Sequence, residues 1–167
     1  MMNIANMGRK LARSSGLLLM TAMLAACNAP SGTTAATPPL AGAKIGGPFT
    51  LTDQDGKTVR DTDFAGKYRL VYFGYSYCPD ICPVDLQKLM RGLSAFEKSD
   101  PARGAKIAPM FITVDPERDT PAALKPFVSR YHPRLLGLTG TPEQIAAVAK
   151  TYVVTYNKVP GSAPDRY

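Results

Sequence analysis

The sequence contains one histidine, His132, and three cysteines, Cys27, Cys78 and Cys82, in 167 residues. A structural zinc site takes four nitrogen or sulfur ligands, so this inventory argues against a closed zinc centre. No apolar run reaches the roughly 20 residues that a membrane-spanning helix needs. There is no internal repeat and no long block of like charge, and the 45% hydrophobic fraction is that of an ordinary globular protein. The net charge of +7 invites a nucleic-acid reading, but three of those charges, Arg9, Lys10 and Arg13, fall before residue 27 with no acid among them. The remaining +4 is scattered, without the stripe of basic and aromatic residues that nucleic-acid binding uses. No nucleic-acid partner is expected.

What is present begins with a targeting segment. Arg9, Lys10 and Arg13 precede a short apolar run over residues 16–26, the order of a secretory signal. The run ends in Leu24-Ala25-Ala26-Cys27, which resembles the lipobox of bacterial lipoproteins. That resemblance implies a signal peptide over 1–26, cleavage before Cys27 and acylation of Cys27, giving durable anchoring through several chains. Residues 27–44, rich in Ala, Pro, Gly and Thr, read as a flexible tether, and 45–167 as one domain. The expected location is the periplasmic, extracytoplasmic face of a bacterial cell membrane. With Cys27 in the anchor, Cys78 and Cys82 form a pair in an oxidising space. The loop they close is too short to staple a domain usefully, so their purpose is chemical.

Local patterns give the elements of the domain. Phe49-Thr-Leu-Thr and Lys57-Thr-Val-Arg flank Asp53-Gln-Asp-Gly56, a hairpin signal. Tyr68-Arg-Leu-Val-Tyr-Phe73 and Met110-Phe-Ile-Thr-Val114 read as strands covered on both faces, the second starting no earlier than Met110 because of Pro109. Leu86, Leu89, Met90, Leu93 and Phe96 recur at helical spacing, predicting a helix over about 83–97. Thr120-Pro121 and Thr141-Pro142 are helix starts with a capping hydroxyl before a proline. Pro126 should kink or shorten the first of these helices. Leu135-Leu-Gly-Leu138 and Val153-Val-Thr-Tyr156 read as short strands. The alternation after the hairpin predicts an α/β layer fold with parallel strands.

The chemistry sits in Gly74-Tyr-Ser-Tyr-Cys78-Pro-Asp-Ile-Cys82-Pro-Val-Asp-Leu86, where a strand gives way to a helix. A cysteine there meets unsatisfied N–H groups and the positive helix end, which favour thiolate. Thiolates are soft ligands that suit Cu(I), and a stiff proline-flanked loop converges two of them.

Cys78-Pro-Asp-Ile-Cys82-Pro resembles the CxxxCP copper site of the Sco/SenC family, assembly factors for the binuclear copper centre of cytochrome c oxidase. Phe64-Ala-Gly-Lys67, Val114-Asp-Pro-Glu-Arg-Asp-Thr-Pro121, Tyr131-His-Pro-Arg134 and Gly137-Leu-Thr-Gly-Thr-Pro-Glu143 resemble the family's segments in the same order. The resemblance runs from about residue 45 to 167 and implies a thioredoxin-like fold with an N-terminal hairpin. It implies copper, Cu(I) and possibly Cu(II), held by Cys78 and Cys82 and delivered to the oxidase's copper-site subunit. It also implies a histidine ligand just past the segment equivalent to Ala163-Pro-Asp-Arg-Tyr167, followed by a C-terminal hairpin and last helix. These are expected to be missing from this chain. Tyr77 stands where relatives often have histidine.

A second reading uses the same residues. As a thiol–disulfide oxidoreductase, the chain would attack with Cys78, resolve with Cys82 and keep the oxidase's copper-site cysteines reduced. Either role calls for a thiol reductant or another copper chaperone as a further partner. The single histidine, His132, sits before Pro133 and reads as a capping or packing residue. Asp115, Arg118 and Asp119 read as a loop ion pair plus a helix cap at Asp119 or Thr120. Met90 and Met110 fall in core patterns, and the other methionines lie in the signal segment.

Overall fold

The computed structural model describes residues 40–158. The expected signal peptide, Cys27 and most of the tether lie outside the described residues. The described residues fall in two units that divide between Ala43 and Lys44. Of the first, the described part is a turn closed by the Ala43 N–H on the Leu40 carbonyl at 3.0 Å. Among the described residues, no helix is long and apolar enough to cross a membrane.

The second unit opens with the expected hairpin. Strands β1 (Thr50–Asp53) and β2 (Thr58–Arg60) pair antiparallel with Leu51 opposite Val59. Asp53 closes the turn, its Oδ1 accepting from the N–H groups of Asp55 and Lys57 at 2.8 Å each. Gly56 takes the left-handed φ of +78° that the turn requires. A 3-10 turn (Asp61–Phe64) leads into β3 (Tyr68–Gly74), and the long helix α1 (Ile81–Ser99) follows. A one-turn helix α2 (Pro101–Gly104), β4 (Ile107–Thr113), α3 (Pro121–Ser129), β5 (Leu136–Thr139) and α4 (Pro142–Thr151) complete the unit.

The strands form one sheet in the order β2-β1-β5-β4-β3, with β3, β4 and β5 parallel and β1 antiparallel to β5. Residues alternate across it with period two. Val71, Phe73, Ala108, Met110, Ile112 and Leu138 face one core, with Ile145 and Val148 of α4. Leu70, Tyr72 and Phe111 face the other, with Leu86, Met90 and Leu93 of α1 and Leu124, Phe127 and Val128 of α3. The result is a three-layer α/β/α arrangement. Met90 and Met110 are core residues, as their spacing indicated. Gly137 lets α3 approach β5, since a Cβ there would lie 2.9 Å from Val128 Cγ1.

Three local expectations are corrected. Strand β4 begins at Ile107 and includes Pro109, paired with Leu70. Its missing N–H costs no ladder bond to β5, because β5 joins only from Met110 opposite Leu136. Helix α1 begins at Ile81 rather than 83, since Pro83 falls in the first turn, whose N–H groups have no helical partner. Finally, Val153-Val-Thr-Tyr156 is not a strand. The Val153 N–H bonds the Lys150 carbonyl and the Val154 N–H reaches back to Ala149, closing the C-terminus of α4. Val153 therefore holds φ 58°, left-handed backbone incompatible with a strand. Pro126 lies inside α3, which ends three residues later at Ser129.

Candidate metal centre

The cysteine pair lies where the C-terminal end of β3 meets the N-terminal end of α1. Cys78 is in the loop and Cys82 in the first turn of the helix. Asp80, at the N-cap, makes no side-chain capping bond. The Cys78 sulfur takes that role, accepting from the Cys82 N–H at 3.4 Å. Both cysteines are free thiols; Cys78 is half-buried and Cys82 buried. The Cys78 sulfur is thereby held against the first turn of α1, which carries Cys82.

Their environments push them apart. Burial raises the Cys78 thiol. The hydrogen bond with Cys82 and the backbone N–H groups of Asp80, Cys82 and Ile81 outweigh it and hold the thiol below the ordinary range. Cys82 moves upward, chiefly through burial and then through its bond to Cys78, against weaker opposition from the Tyr75 N–H and the Tyr72 hydroxyl. Burial and the neighbouring Cys82 sulfur also push the Tyr72 phenol far above its usual range. Gly74, the last residue of β3, sits directly beneath, and a Cβ there would lie 3.1 Å from the Cys82 sulfur.

The loop before Cys78 is tied to the end of β4. Asp119, fully buried, accepts from the Ser76 N–H at 2.9 Å, from the Ser76 hydroxyl, and from the Thr113 hydroxyl at 2.7 Å. Of the alternatives for this segment, Thr120 is the cap, its hydroxyl accepting from the Ala123 N–H at 3.3 Å. Asp115 and Arg118 form the expected ion pair. The Arg118 guanidinium also lies 5.0 Å from the Tyr77 ring centroid and 5.8 Å from that of Tyr75. A cavity of about 370 Å³ opens beside them, lined by Tyr75, Asp115, Arg118, Tyr156 and Lys158 among others. Tyr77, Ile81 and Val84 are exposed around the cysteine loop.

Sequence reasoning missed Tyr72, Tyr75, Ser76 and Thr113. Tyr72 reads as a strand residue and Ser76 as a turn residue, and nothing local ties either to residue 82 or 119. A hydroxyl two residues before the first cysteine and a buried-strand threonine were the available signals.

His132 is remote from this place. It precedes β5, at the N-terminal end of the parallel strands, whereas the cysteines lie beyond the C-terminal end of β3. Its Nε2 is 3.2 Å from Glu97 Oε2 and its Nδ1 accepts from the Arg134 N–H at 3.2 Å. Glu97 is fifteen residues past Cys82 on α1, about 22 Å along a helix rising 1.5 Å per residue. Among the described residues, no group of three His, Cys, Asp or Glu side chains could hold a metal ion. Two neighbouring free thiols at one helix start, one biased toward thiolate, are nevertheless a fitting donor set for a soft monovalent ion that accepts low coordination.

The family model SCO1/SenC matches residues 37–167. The chain belongs to the SCO1/SenC family. Protein SenC of Rhodobacter capsulatus is 48% identical over 116 residues, which are 70% of this chain and 51% of that protein. The copper-bound structure of Bradyrhizobium japonicum ScoI superposes with a TM-score of 0.66 at 47% identity, covering 72% of this chain and 74% of that one. BsSco, described as having a disulfide switch and as a member of the Sco family of cytochrome c oxidase assembly proteins, matches at 28% identity. Its TM-score is 0.56, over 68% of each chain. The fold is thus the thioredoxin-like one that the resemblance implied. This SCO1/SenC chain spans about a third to a half of the length of the curated relatives it matches.

Proposed function

We propose that the chain is a copper-binding metallochaperone for assembly of the binuclear copper centre of cytochrome c oxidase. Cu(I) is the cargo, held by Cys78 and Cys82 and passed to the copper-site subunit of the oxidase. The observation that carries this reading is the placing of two free thiols at one helix start, with the Cys78 sulfur accepting from the Cys82 N–H and held toward thiolate. Copper-bound relatives of the same fold support it. In this reading the Cys27 lipid anchor holds the domain at the periplasmic face of the cell membrane, within reach of a membrane-bound oxidase.

The asymmetry of the two sulfurs favours a second reading on the same residues. The half-buried Cys78 thiolate, the more accessible and lower-pKa of the two, would attack a disulfide of the oxidase's copper site, releasing one target thiolate and forming a mixed disulfide. Cys82 would then displace the second target thiolate, leaving a Cys78–Cys82 disulfide for a thiol reductant to open. The disulfide switch ascribed to BsSco fits this chemistry.

Anaerobic titration of the reduced chain with Cu(I) against a chromophoric chelator, followed by transfer to a soluble oxidase copper domain, tests the first reading. One equivalent should bind tightly and transfer, and Cys78→Ala or Cys82→Ala should each abolish tight binding. Either single variant keeping wild-type stoichiometry and affinity sinks the two-thiolate site. Failure to bind Cu(I), with reduction of the oxidised oxidase domain instead, selects the second reading.

A further inference from the structure

We infer that Asp119 is the positioning residue for the copper-binding loop. The inference rests on the copper reading above, and deepens it by naming what holds Cys78 in register with Cys82. Cys82 is fixed by its place in the first turn of α1, but Cys78 is in irregular chain. Two backbone bonds serve that stretch: Val114 N–H to the Gly74 carbonyl at 2.8 Å, and Cys78 N–H to the Tyr75 carbonyl at 3.2 Å. The second is internal to the loop. Arg118 stacks on the Tyr75 and Tyr77 rings, and the Cys78 sulfur accepts from the Cys82 N–H. The hydrogen bonds that fix the loop backbone to the sheet side of the domain, however, are those of the Asp119 carboxyl, which takes both donors of Ser76, two residues before Cys78.

Asp119 is itself rigidly held. Its N–H bonds the Asp115 carbonyl at 2.9 Å, and Thr120, the next residue, caps α3. Its third donor, the Thr113 hydroxyl at the end of β4, also accepts from the Asp115 N–H at 2.9 Å. The carboxyl thus joins the cysteine loop, the end of β4 and the start of α3. A buried carboxyl with three good donors is satisfied, and removing it strands those donors out of water. The Ser76 segment would then sample other conformations, and only the fraction with both sulfurs converged would bind Cu(I). Apparent affinity falls in proportion to that fraction.

The test uses the 167-residue chain and four variants: Asp119→Ala, Asp119→Asn, Ser76→Ala and the double Asp119→Ala/Ser76→Ala. Asp119→Ala should weaken Cu(I) binding about ten- to a hundred-fold, as expected for freeing a residue or two of backbone. Ser76→Ala keeps its N–H bond and should weaken binding less. Asp119→Asn should stay within about threefold of wild type, because its carbonyl keeps the Ser76 N–H and Thr113 while its amide meets a Ser76 hydroxyl turned to accept. The double variant should bind no more weakly than Asp119→Ala. The rate of Cys78 alkylation should shift in Asp119→Ala while that of Cys82 holds, a contrast that general destabilisation would not produce. Should Asp119→Ala fail to fold by circular dichroism, Ser76→Ala against Asp119→Asn decides, and equal affinities there overturn the inference. So does a folded Asp119→Ala with wild-type affinity. A wild-type chain that binds no Cu(I) refutes the copper reading alone. The Cys78 alkylation rate then still tests the positioning, and an unchanged rate in Asp119→Ala overturns it.

Discussion

Replacing Gly74 by alanine asks how tightly the sheet seats the second sulfur. Gly74 is buried at the end of β3, and its φ is outside the left-handed region, so the backbone itself accepts alanine. The cost arises entirely from contacts. The new methyl would lie 2.9 Å from Tyr72 Cε1, 3.1 Å from the Cys82 sulfur and 3.2 Å from Phe111 Cε2, against about 3.5–4.0 Å for an unstrained carbon pair. Three neighbours must each yield by several tenths of an ångström. Phe111 cannot move freely, being fully buried and packed 5.1 Å from the Phe127 ring. Overpacking of this kind costs about 1–3 kcal/mol. Part of the relief should come from rotation of Cys82, the short side chain at the edge of the cluster, which misaligns it with Cys78. Gly74→Ala should therefore lower the urea midpoint and also weaken Cu(I) binding about tenfold, an effect of roughly 1.4 kcal/mol. Urea unfolding of the metal-free chain and competition with a Cu(I) chelator measure the two effects separately. Wild-type behaviour in both assays would refute the packing argument. Lost stability with unchanged copper affinity would show that Tyr72 and Phe111 yield instead of the sulfur.

The bias of Cys78 toward thiolate predicts that its alkylation rate reaches half-maximum at a lower pH than that of a free cysteine in the unfolded chain, and that Cys82 lags behind. The sign for folding follows. With a folded pKa below its unfolded one, Cys78 contributes stability that is present above the unfolded pKa and is lost as pH falls through the folded value. A Cys78 midpoint at or above that of free cysteine contradicts the hydrogen-bond account. For the N-terminus, mass spectrometry of the membrane fraction should find Cys27 as an acylated first residue, and an unmodified soluble form starting beyond it removes the anchor from the proposal.

The elements of the domain were legible wherever a local signal was strong. The Asp53–Gly56 turn, the apolar stripe of α1, and the threonine–proline starts of α3 and α4 each carry their cause within a few residues. The errors came where a distant or terminal condition overrode a local rule. Pro109 is tolerated in β4 because of where β5 begins, which the sequence around residue 109 does not encode. Val153 and Val154 have strand propensity, but their N–H groups are consumed by the end of α4.

The cysteine pair shows the same division. Two cysteines with three residues between them at a strand-to-helix junction were enough to single out Cys78 and Cys82, because the helix dipole and the stiffness of a proline-flanked loop are local properties. What surrounds the pair was decided by tertiary structure alone. The parallel sheet brings residue 119 to residue 76 across 43 positions and sets Gly74 under the Cys82 sulfur. It also carries His132 to the opposite end of the strands, against Glu97. The Ser76–Asp119 hydrogen bonds join residues distant in the chain, and these partners are fixed only once the ends of β3 and β4 are packed together.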